Sequence, residues 1–180
     1  MNWRLASTLP ALVASLSLAG CGGSSSSPPD GSALTDASGD RPTATSLSLG
    51  TGQSAWEELP TDRAANVELI HGPQGGYHVF GRVRFSGIEP PVTLSFRVVA
   101  LDDGSVLNDP EDRYRLRPGL GLSPSGDGWE SSSAQLVILT TISQPSQVVG
   151  RRCRIEARVE PLNDPAGVTV SREVVVVDET

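Results

Sequence analysis

The sequence predicts an all-β domain of about seven short strands in two packed antiparallel sheets. Apolar and polar residues alternate along several segments beyond residue 46, most clearly in Tyr77–Phe85 and Arg152–Glu160. Clusters of Gly, Pro, Asn and Asp separate these segments and predict turns between them. No segment carries a sustained apolar stripe at helical spacing, so the pattern favours strands throughout.

The predicted strands are taken in chain order. Two short apolar segments open the domain, two alternating segments follow a Pro-Gln-Gly-Gly turn, and a nearly continuous apolar run precedes the last two strands. Between the fourth and fifth strands, residues 102–130 are rich in Asp, Glu, Gly and Pro and predict one long acidic loop. The seven predicted strands are Leu47–Leu49, Val67–Ile70, Tyr77–Phe85, Val92–Val98, Ala134–Ile142, Arg152–Glu160 and Val168–Val177.

Residues 1–20 have the composition of a signal peptide. Arg4 is the single charge, and the uncharged apolar segment after it is too short to span a bilayer as a helix. The segment ends in Leu18-Ala19-Gly20-Cys21, which resembles the lipobox of bacterial lipoproteins position for position. The resemblance implies cleavage before Cys21 and lipidation of its thiol. Gly22 follows, where lipoproteins kept at the inner membrane often carry Asp, so the resemblance implies the outer membrane.

Residues 21–46 predict a flexible tether between this cysteine and the domain at 47–180. The stretch is composed mainly of Ser, Gly, Pro, Thr, Ala and Asp, so ordering it would cost conformational entropy with almost no apolar burial in return. A flexible coil of this length spans roughly 25–30 Å from end to end. The domain is therefore expected to stand off the membrane.

The charge and the cysteine content of the chain limit which partners and which cross-links are expected. The chain has 14 Arg, no Lys and 21 Asp plus Glu, a net charge of −7, and losing Arg4 with the signal peptide makes it −8. An acidic domain disfavours nucleic acid as a partner. Cys153 is the second of two cysteines, so with Cys21 lipidated the domain can form no internal disulfide and is expected to fold as a monomer without one.

The last two predicted strands resemble the final two strands of bacterial Ig-like and PKD-like domains. Alternating aliphatic residues run from Cys153 to Val159 and again through Val168–Val177. Those families usually place Tyr at the position of Cys153, so the tyrosine corner is absent. The resemblance implies an immunoglobulin-like antiparallel β-sandwich of about seven strands behind a disordered tether. Residues 67–79 also resemble a segment of uncharacterised bacterial lipoproteins, and no activity comes with that resemblance.

The two histidines, His71 and His78, flank the Pro73–Gly76 turn and are the candidate metal ligands. Pairing Leu69 with Val79 aligns the apolar faces, and this register sets His71 opposite Tyr77 and turns His78 to the other face. A one-residue shift would bring the histidines together but would expose Val79. The apolar match therefore favours two separate histidines and no metal. Gly75 and Gly76 are both expected to be structural, at positions where the turn needs positive φ.

No arrangement of residues predicts catalysis, and the sequence predicts no cofactor. A blue-copper centre has His, Cys and usually Met ligands close together, and the single methionine, Met1, lies in the signal peptide. The segment Gly121–Gly126 has the wrong spacing for a nucleophile elbow. Cys153 lies on the apolar face of its strand, which predicts an inert buried thiol.

Three further groups have both a structural and a binding interpretation. The acidic residues of segment 102–130, Asp102, Asp103, Asp109, Glu111, Asp112 and Asp127, could bind calcium but lack EF-hand spacing, so a solvated loop is preferred. The aromatic residues Trp56, Tyr114 and Trp129 could stack on a sugar but more often belong to a core. The strand arginines Arg82, Arg84, Arg97, Arg154 and Arg158 alternate with Glu156 and Glu160 and predict a solvated, mutually screened surface.

Two function hypotheses remain, and neither is an enzyme. The first is a non-catalytic Ig-like envelope module, anchored to the membrane at Cys21, that contacts a protein or a polysaccharide through its loops or an exposed strand edge. The second is a lipoprotein that binds a small ligand, a metal ion or a carbohydrate through the His71/His78 hairpin or the acidic segment 102–130.

Overall fold

The computed structural model describes residues 45–164 and 166–178. The predicted signal peptide, Cys21 and the linker up to residue 44 lie outside the described residues. The described part contains eleven strands and one 3₁₀ turn, Pro145–Gln147. The strands are β1 (Ser46–Thr51), β2 (Glu57–Glu58), β3 (Ala65–His71), β4 (Tyr77–Ser86), β5 (Val92–Ala100), β6 (Arg113–Pro118), β7 (Gly121–Ser125), β8 (Gly128–Ser131), β9 (Gln135–Ile138), β10 (Arg152–Pro161) and β11 (Val168–Asp178).

The strands form a continuous mixed sheet that folds into a sandwich-like all-β domain, as the alternation predicts. One run of neighbours is β3-β11-β10-β5-β6, and another is β2-β1-β4. Strands β7 and β8 connect β6 back to β4, and β9 pairs with β4 alone. Alternate residues of β5 and β10 point into one core and carry Leu94, Phe96, Ile155 and Val159 at 3% exposure or less.

Two pairings depart from the predicted antiparallel arrangement. Strand β11 runs parallel to β3, with Val174 opposite Ala65, and β7 runs parallel to β6, with Gly121 opposite Arg117. The final strand therefore lies between its hairpin partner β10 and an early strand, and Val174 and Val175 have strand neighbours on both backbone edges. This position explains its continuous run of valines, because a central strand buries Val174 and Val176.

The predicted long loop at 102–130 is wrong, because β6, β7 and most of β8 lie within it. Their sequences are rich in Arg, Gly and Pro, a composition that hides short strands from a pattern search. The strand predicted at Ala134–Ile142 is shorter than expected, since β9 ends at Ile138. Its partner β4 begins at Tyr77, which accepts a hydrogen bond from the Leu139 N–H at 2.8 Å, so later residues have no strand beside them.

The hairpin between β3 and β4 has the predicted register. His71 lies opposite Tyr77 and Ile70 opposite His78, as expected from matching Leu69 to Val79. In the turn, the Gly75 N–H donates to the Gly72 carbonyl at 2.9 Å and the Gly72 N–H donates to the Gly76 carbonyl at 2.7 Å. Gly75 has φ +86°, whereas Gly76 is not among the residues of positive φ. The expectation that both glycines need positive φ is therefore wrong for Gly76.

The two glycines form a matched pair for substitution, because a Cβ atom at either position would contact nothing within 4 Å. We predict that Gly75→Ala lowers the free energy of unfolding by about 1 kcal/mol, since an L-residue is strained at positive φ. Gly76→Ala should change it by about 0.5 kcal/mol or less. Urea denaturation of both variants measures the difference, and equal losses would contradict this account of the turn.

Candidate binding site

A cleft of about 340 Å³ lies where the edge of β11 meets the segment that leads into β3. Strand β3 begins to pair with β11 only at Ala65, so residues 171–173 of β11 have β10 on one side and residues 60–64 on the other. We call this cleft the arginine cleft. Its walls are formed by Pro60, Thr61, Asp62, Arg63, Ala64, Arg152, Arg154, Ser171, Arg172 and Glu173.

The arginine cleft is positively charged on a protein whose net charge is negative. Four arginines and two carboxylates line it, which leaves two positive charges in excess. Two of the arginines are neutralised, because Arg152 pairs with Glu173 and the Arg154 Nε donates to Glu156 at 2.8 Å. The other charged residues of the cleft are Arg63, Arg172 and Asp62, and together they carry one positive charge in excess.

Arg172 is held in place by the backbone. Its Nε donates to the Leu59 carbonyl at 3.2 Å and its Nη1 to the Ser171 carbonyl at 2.7 Å. Arg63 is exposed on the opposite wall. Within residues 45–164 and 166–178, neither guanidinium lies within 4.0 Å of a carboxylate oxygen. Two guanidinium groups in one cleft can donate several hydrogen bonds to an oxyanion.

The outer face of β5 and β10 has the screened arrangement that the sequence predicts. Glu156 accepts from Arg154 and also lies 3.7 Å from Arg97. Glu160 accepts from Arg158 at 2.6 Å and from Arg113 at 2.9 Å, and these hydrogen bonds, led by that of Arg158, lower the pKa of Glu160. Each carboxylate thus serves two arginines on this face.

Arg82 contradicts the prediction of a solvated arginine. Its side chain is 6% exposed, and its Nη2 donates to Glu130 Oε1 at 2.9 Å and to the Ser131 carbonyl at 2.9 Å. The opposite oxygen of Glu130 accepts from the Arg84 Nε at 2.7 Å, and the Arg84 guanidinium lies 4.2 Å from the centre of the Trp56 ring. The sequence could not show this cluster because its carboxylate lies on β8, within the predicted loop.

The two histidines lie on opposite faces of the hairpin, as the register predicts. The His71 Nε2 is 2.7 Å from Asp178 Oδ1, and its ring meets Tyr77 edge to face. The His78 ring lies against Phe80, with centroids 5.5 Å apart. In the part of the chain that the structure describes, no group of three or more His, Cys, Asp or Glu side chains could hold a metal ion.

The first two acidic residues of segment 102–130 are engaged by an arginine from another part of the chain. Arg151 Nη2 lies 2.5 Å from Asp102 and 3.0 Å from Asp103, and the Ser105 hydroxyl and N–H also donate to Asp103. Hydrogen bonds from Ser105, with a smaller contribution from Arg151, lower the pKa of Asp103 to about 2. Asp109 accepts from the Glu111 N–H, while Asp112 and Asp127 lie on exposed turns.

The aromatic candidates have separate structural contacts. Trp56 packs under Arg84, and Trp129 on β8 packs partly buried against the core. The Tyr114 hydroxyl donates to the Leu136 carbonyl at 2.5 Å and ties β6 to β9. Among the described residues, no ring contact joins two of these three aromatic side chains, so they do not form a shared surface on which a sugar could stack.

Cys153 is buried in the core, as predicted, and burial raises the pKa of its thiol. A raised pKa keeps the thiol protonated and unreactive near neutral pH. The predicted lipidation site, Cys21, lies outside the described residues. The sequence analysis did not identify Arg63 and Arg172 as binding residues. The only sequence signal was weak, because each arginine simply adjoins an acidic residue, Asp62 or Glu173, that also lines the cleft.

Comparisons with known proteins identify no family. No protein-family model matches the chain, and no curated protein matches it significantly. The solved structure of the CooA pilin subunit from enterotoxigenic Escherichia coli matches 74% of this chain and 99% of that chain, with 13% identity and a TM-score of 0.36. A similarity of this size supports no functional assignment. Among the described residues, no helix is both long enough and apolar enough to cross a membrane.

Glu130 and Glu160 allow a matched test of burial, because each carboxylate bridges two arginines. We predict that Glu130→Gln lowers the free energy of unfolding by about 2–4 kcal/mol, since it leaves the buried Arg82 guanidinium without its charge partner. Glu160→Gln should cost about 1 kcal/mol or less, because Arg113 and Arg158 are 49% and 43% exposed. Chemical denaturation near pH 7 measures both losses, and a larger loss for Glu160→Gln would contradict this ranking.

The depressed pKa of Asp103 predicts a defined acid response. Because the folded pKa, about 2, lies below the ordinary value of 3.8, the ionised carboxylate contributes stability above about pH 3.8 and loses it as the pH falls towards 2. Ser105→Ala should raise the pKa of Asp103 and reduce this part of the pH dependence. Urea midpoints of the native chain and the variant between pH 2 and 5 measure it. Parallel curves for the two proteins would rule out the assigned role of Ser105.

Proposed function

We propose that the protein is a lipid-anchored, non-catalytic binding or structural module of the bacterial cell envelope. The observation that carries the proposal is the Leu18-Ala19-Gly20-Cys21 sequence at the end of an uncharged apolar segment. Two small residues fit the signal peptidase that acts before a lipidated cysteine. The acyl chains on Cys21 then hold the protein at the membrane, with several chains required for a stable anchor.

The domain architecture is consistent with this role. The Ser/Gly/Pro-rich linker separates Cys21 from the first strand, which begins at Ser46. A tether of roughly 25–30 Å lets the domain reach partners beyond the lipid surface. We propose the outer membrane as its location, because Gly22 occupies the position where an inner-membrane retention signal would place Asp.

A binding role rather than catalysis is supported by how the reactive side chains are used. Cys153 is fully buried with a raised pKa, and His71 and His78 face opposite sides of a hairpin. The acidic residues Asp102 and Asp103 are engaged by Arg151. These groups stabilise the fold, and surface recognition of an envelope protein or polysaccharide is the function that we propose.

The lipid anchor predicts a specific labelling result. Cells that express the native chain should incorporate a palmitate analogue into it, and Cys21→Ser should abolish incorporation and leave the signal peptide uncleaved, because the acyl acceptor is lost. Cys153→Ala is the matched control, since it removes the other cysteine of the chain and should leave labelling intact. Unchanged labelling of Cys21→Ser would refute the anchor, and fractionation of the native protein with the inner membrane would refute its outer-membrane location.

A further inference from the structure

We propose that the arginine cleft binds a phosphate group, with Arg63 and Arg172 as the residues that hold it. This inference rests on the proposed role of the domain as a binding module and names the chemistry that one of its surfaces recognises. Arg63 lies on the segment before β3 and Arg172 on the edge of β11, so the ligand would be held between two separate elements.

The charge of the cleft favours an anionic ligand. With Arg152 paired to Glu173 and Arg154 to Glu156, the remaining residues Arg63, Arg172 and Asp62 carry one positive charge in excess. A phosphate monoester carries a charge of about −1.5 to −2 near pH 7. Asp62 and Glu173 on the same walls already provide carboxylates, yet Arg63 and Arg172 lie beyond ion-pair distance from every carboxylate of the residues described.

The geometry also favours a multiply bonded oxyanion. Arg172 donates through Nε and Nη1 to backbone carbonyls, which fix its orientation and leave the rest of its five N–H donors for a ligand. Arg63 makes no such bond with the described residues, so its donors are available to a ligand in the cleft. Phosphate oxygens accept bonds from two guanidinium groups at once, in the planar fork geometry that distinguishes arginine from lysine.

Elsewhere on the surface, the arginines are arranged differently. On the outer face of β5 and β10, each of the four arginines Arg97, Arg113, Arg154 and Arg158 lies within 4.0 Å of Glu156 or Glu160. Arg115 and Arg117 on β6 also lie beyond 4.0 Å from any carboxylate of the described residues, but the cleft they line contains Pro91, Leu116, Leu120 and Leu162 instead of further cationic groups. Arg115 and Arg117 are exposed, and among the described residues they lack backbone hydrogen bonds like those that hold Arg172, so they serve as an internal control for nonspecific anion binding.

The test is an NMR titration of the arginine Nε–Hε signals with inorganic phosphate at constant ionic strength. The sample is the full chain carrying Cys21→Ser, because this variant lacks the thiol that would accept the lipid. The proposal expects saturable shifts for Arg63 and Arg172 and none that saturate for Arg115 and Arg117. Equal, non-saturating shifts at all four arginines, or no shift at Arg63 and Arg172, would overturn it.

Variants make the same test quantitative. Arg63→Gln should weaken phosphate binding by about tenfold, since a charge-assisted donor is lost, whereas Arg115→Gln should leave the affinity unchanged. Because Arg63 is exposed and makes no ion pair with the described carboxylates, its variant should fold, which circular dichroism checks. An unchanged affinity in folded Arg63→Gln would exclude the cleft as the phosphate site.

A second arm distinguishes the two sources of a phosphate group. The same chain is floated with vesicles of phosphatidylcholine alone or with added phosphatidic acid. Binding that requires phosphatidic acid and is lost in Arg63→Gln supports a lipid headgroup, and phosphate binding without vesicle binding supports a soluble phosphorylated ligand. Failure of both arms refutes the cleft and leaves the Cys21 anchor untouched, since labelling of the native chain tests that separately.

Discussion

Strand β4 is the element on which the rest of the fold depends, because it changes partners half-way along its length. Its first half pairs with β3 and β9, and its second half pairs with β1 and β8. At the change, a Cβ atom on Gly81 would lie 2.6 Å from the Phe96 ring of β5. The absence of a side chain therefore lets β5 pack closely against β4 at the centre of the core.

The change of partners leaves backbone groups that only side chains can satisfy. Thr51, just past the last pair between β1 and β4, donates its hydroxyl to the Phe80 carbonyl at 3.0 Å. Ser131, at the end of β8, accepts from the Val83 N–H at 3.1 Å and is fully buried. Asn108 does the same beside β5, where it accepts from the Val98 N–H and donates to the Phe96 carbonyl. A buried backbone group without a partner would be costly, so these polar residues are part of the sheet architecture.

The sequence predicts the long strands well because burial imposes a period of two on them. Along much of β4, β5, β10 and β11, buried residues alternate with more exposed ones. The β3–β4 register follows from matching Leu69 to Val79. Strands β6 to β8 could not be predicted from periodicity. They are four to six residues long, and only Leu116, Leu122 and Ser131 among them are buried, which is too few to set a period.

The polar clusters show a different limit of sequence reasoning. Arg82 and Arg154 occupy similar positions in alternating strands, yet Arg82 is buried and Arg154 is partly exposed. The difference depends on Glu130 and Ser131, which approach Arg82 from β8, nearly fifty positions away in the chain. The hairpin histidines could be placed from the register alone because their cross-strand neighbours, Tyr77 and Ile70, are local. The arginine cleft could not be predicted, since it forms where residues 60–64 meet residues 171–173.

The pairing of charges explains why the arginine cleft differs from the rest of the surface. The chain has no lysine, so every side chain with a permanent positive charge is a guanidinium that can bond two carboxylate oxygens. The antiparallel register of β5, β10 and β11 sets Arg97 opposite Glu156 and Arg154 opposite Glu173. That register cannot act on Arg63, which lies before β3, or on Arg172, which shares its cross-strand position with Ile155. Their neighbours are neutralised differently, since Arg154 bonds Glu156 on its own strand and Arg152 bonds Glu173 on β11. A cationic site on an acidic protein thus arises where two guanidinium groups have no carboxylate of the described residues within ion-pair distance.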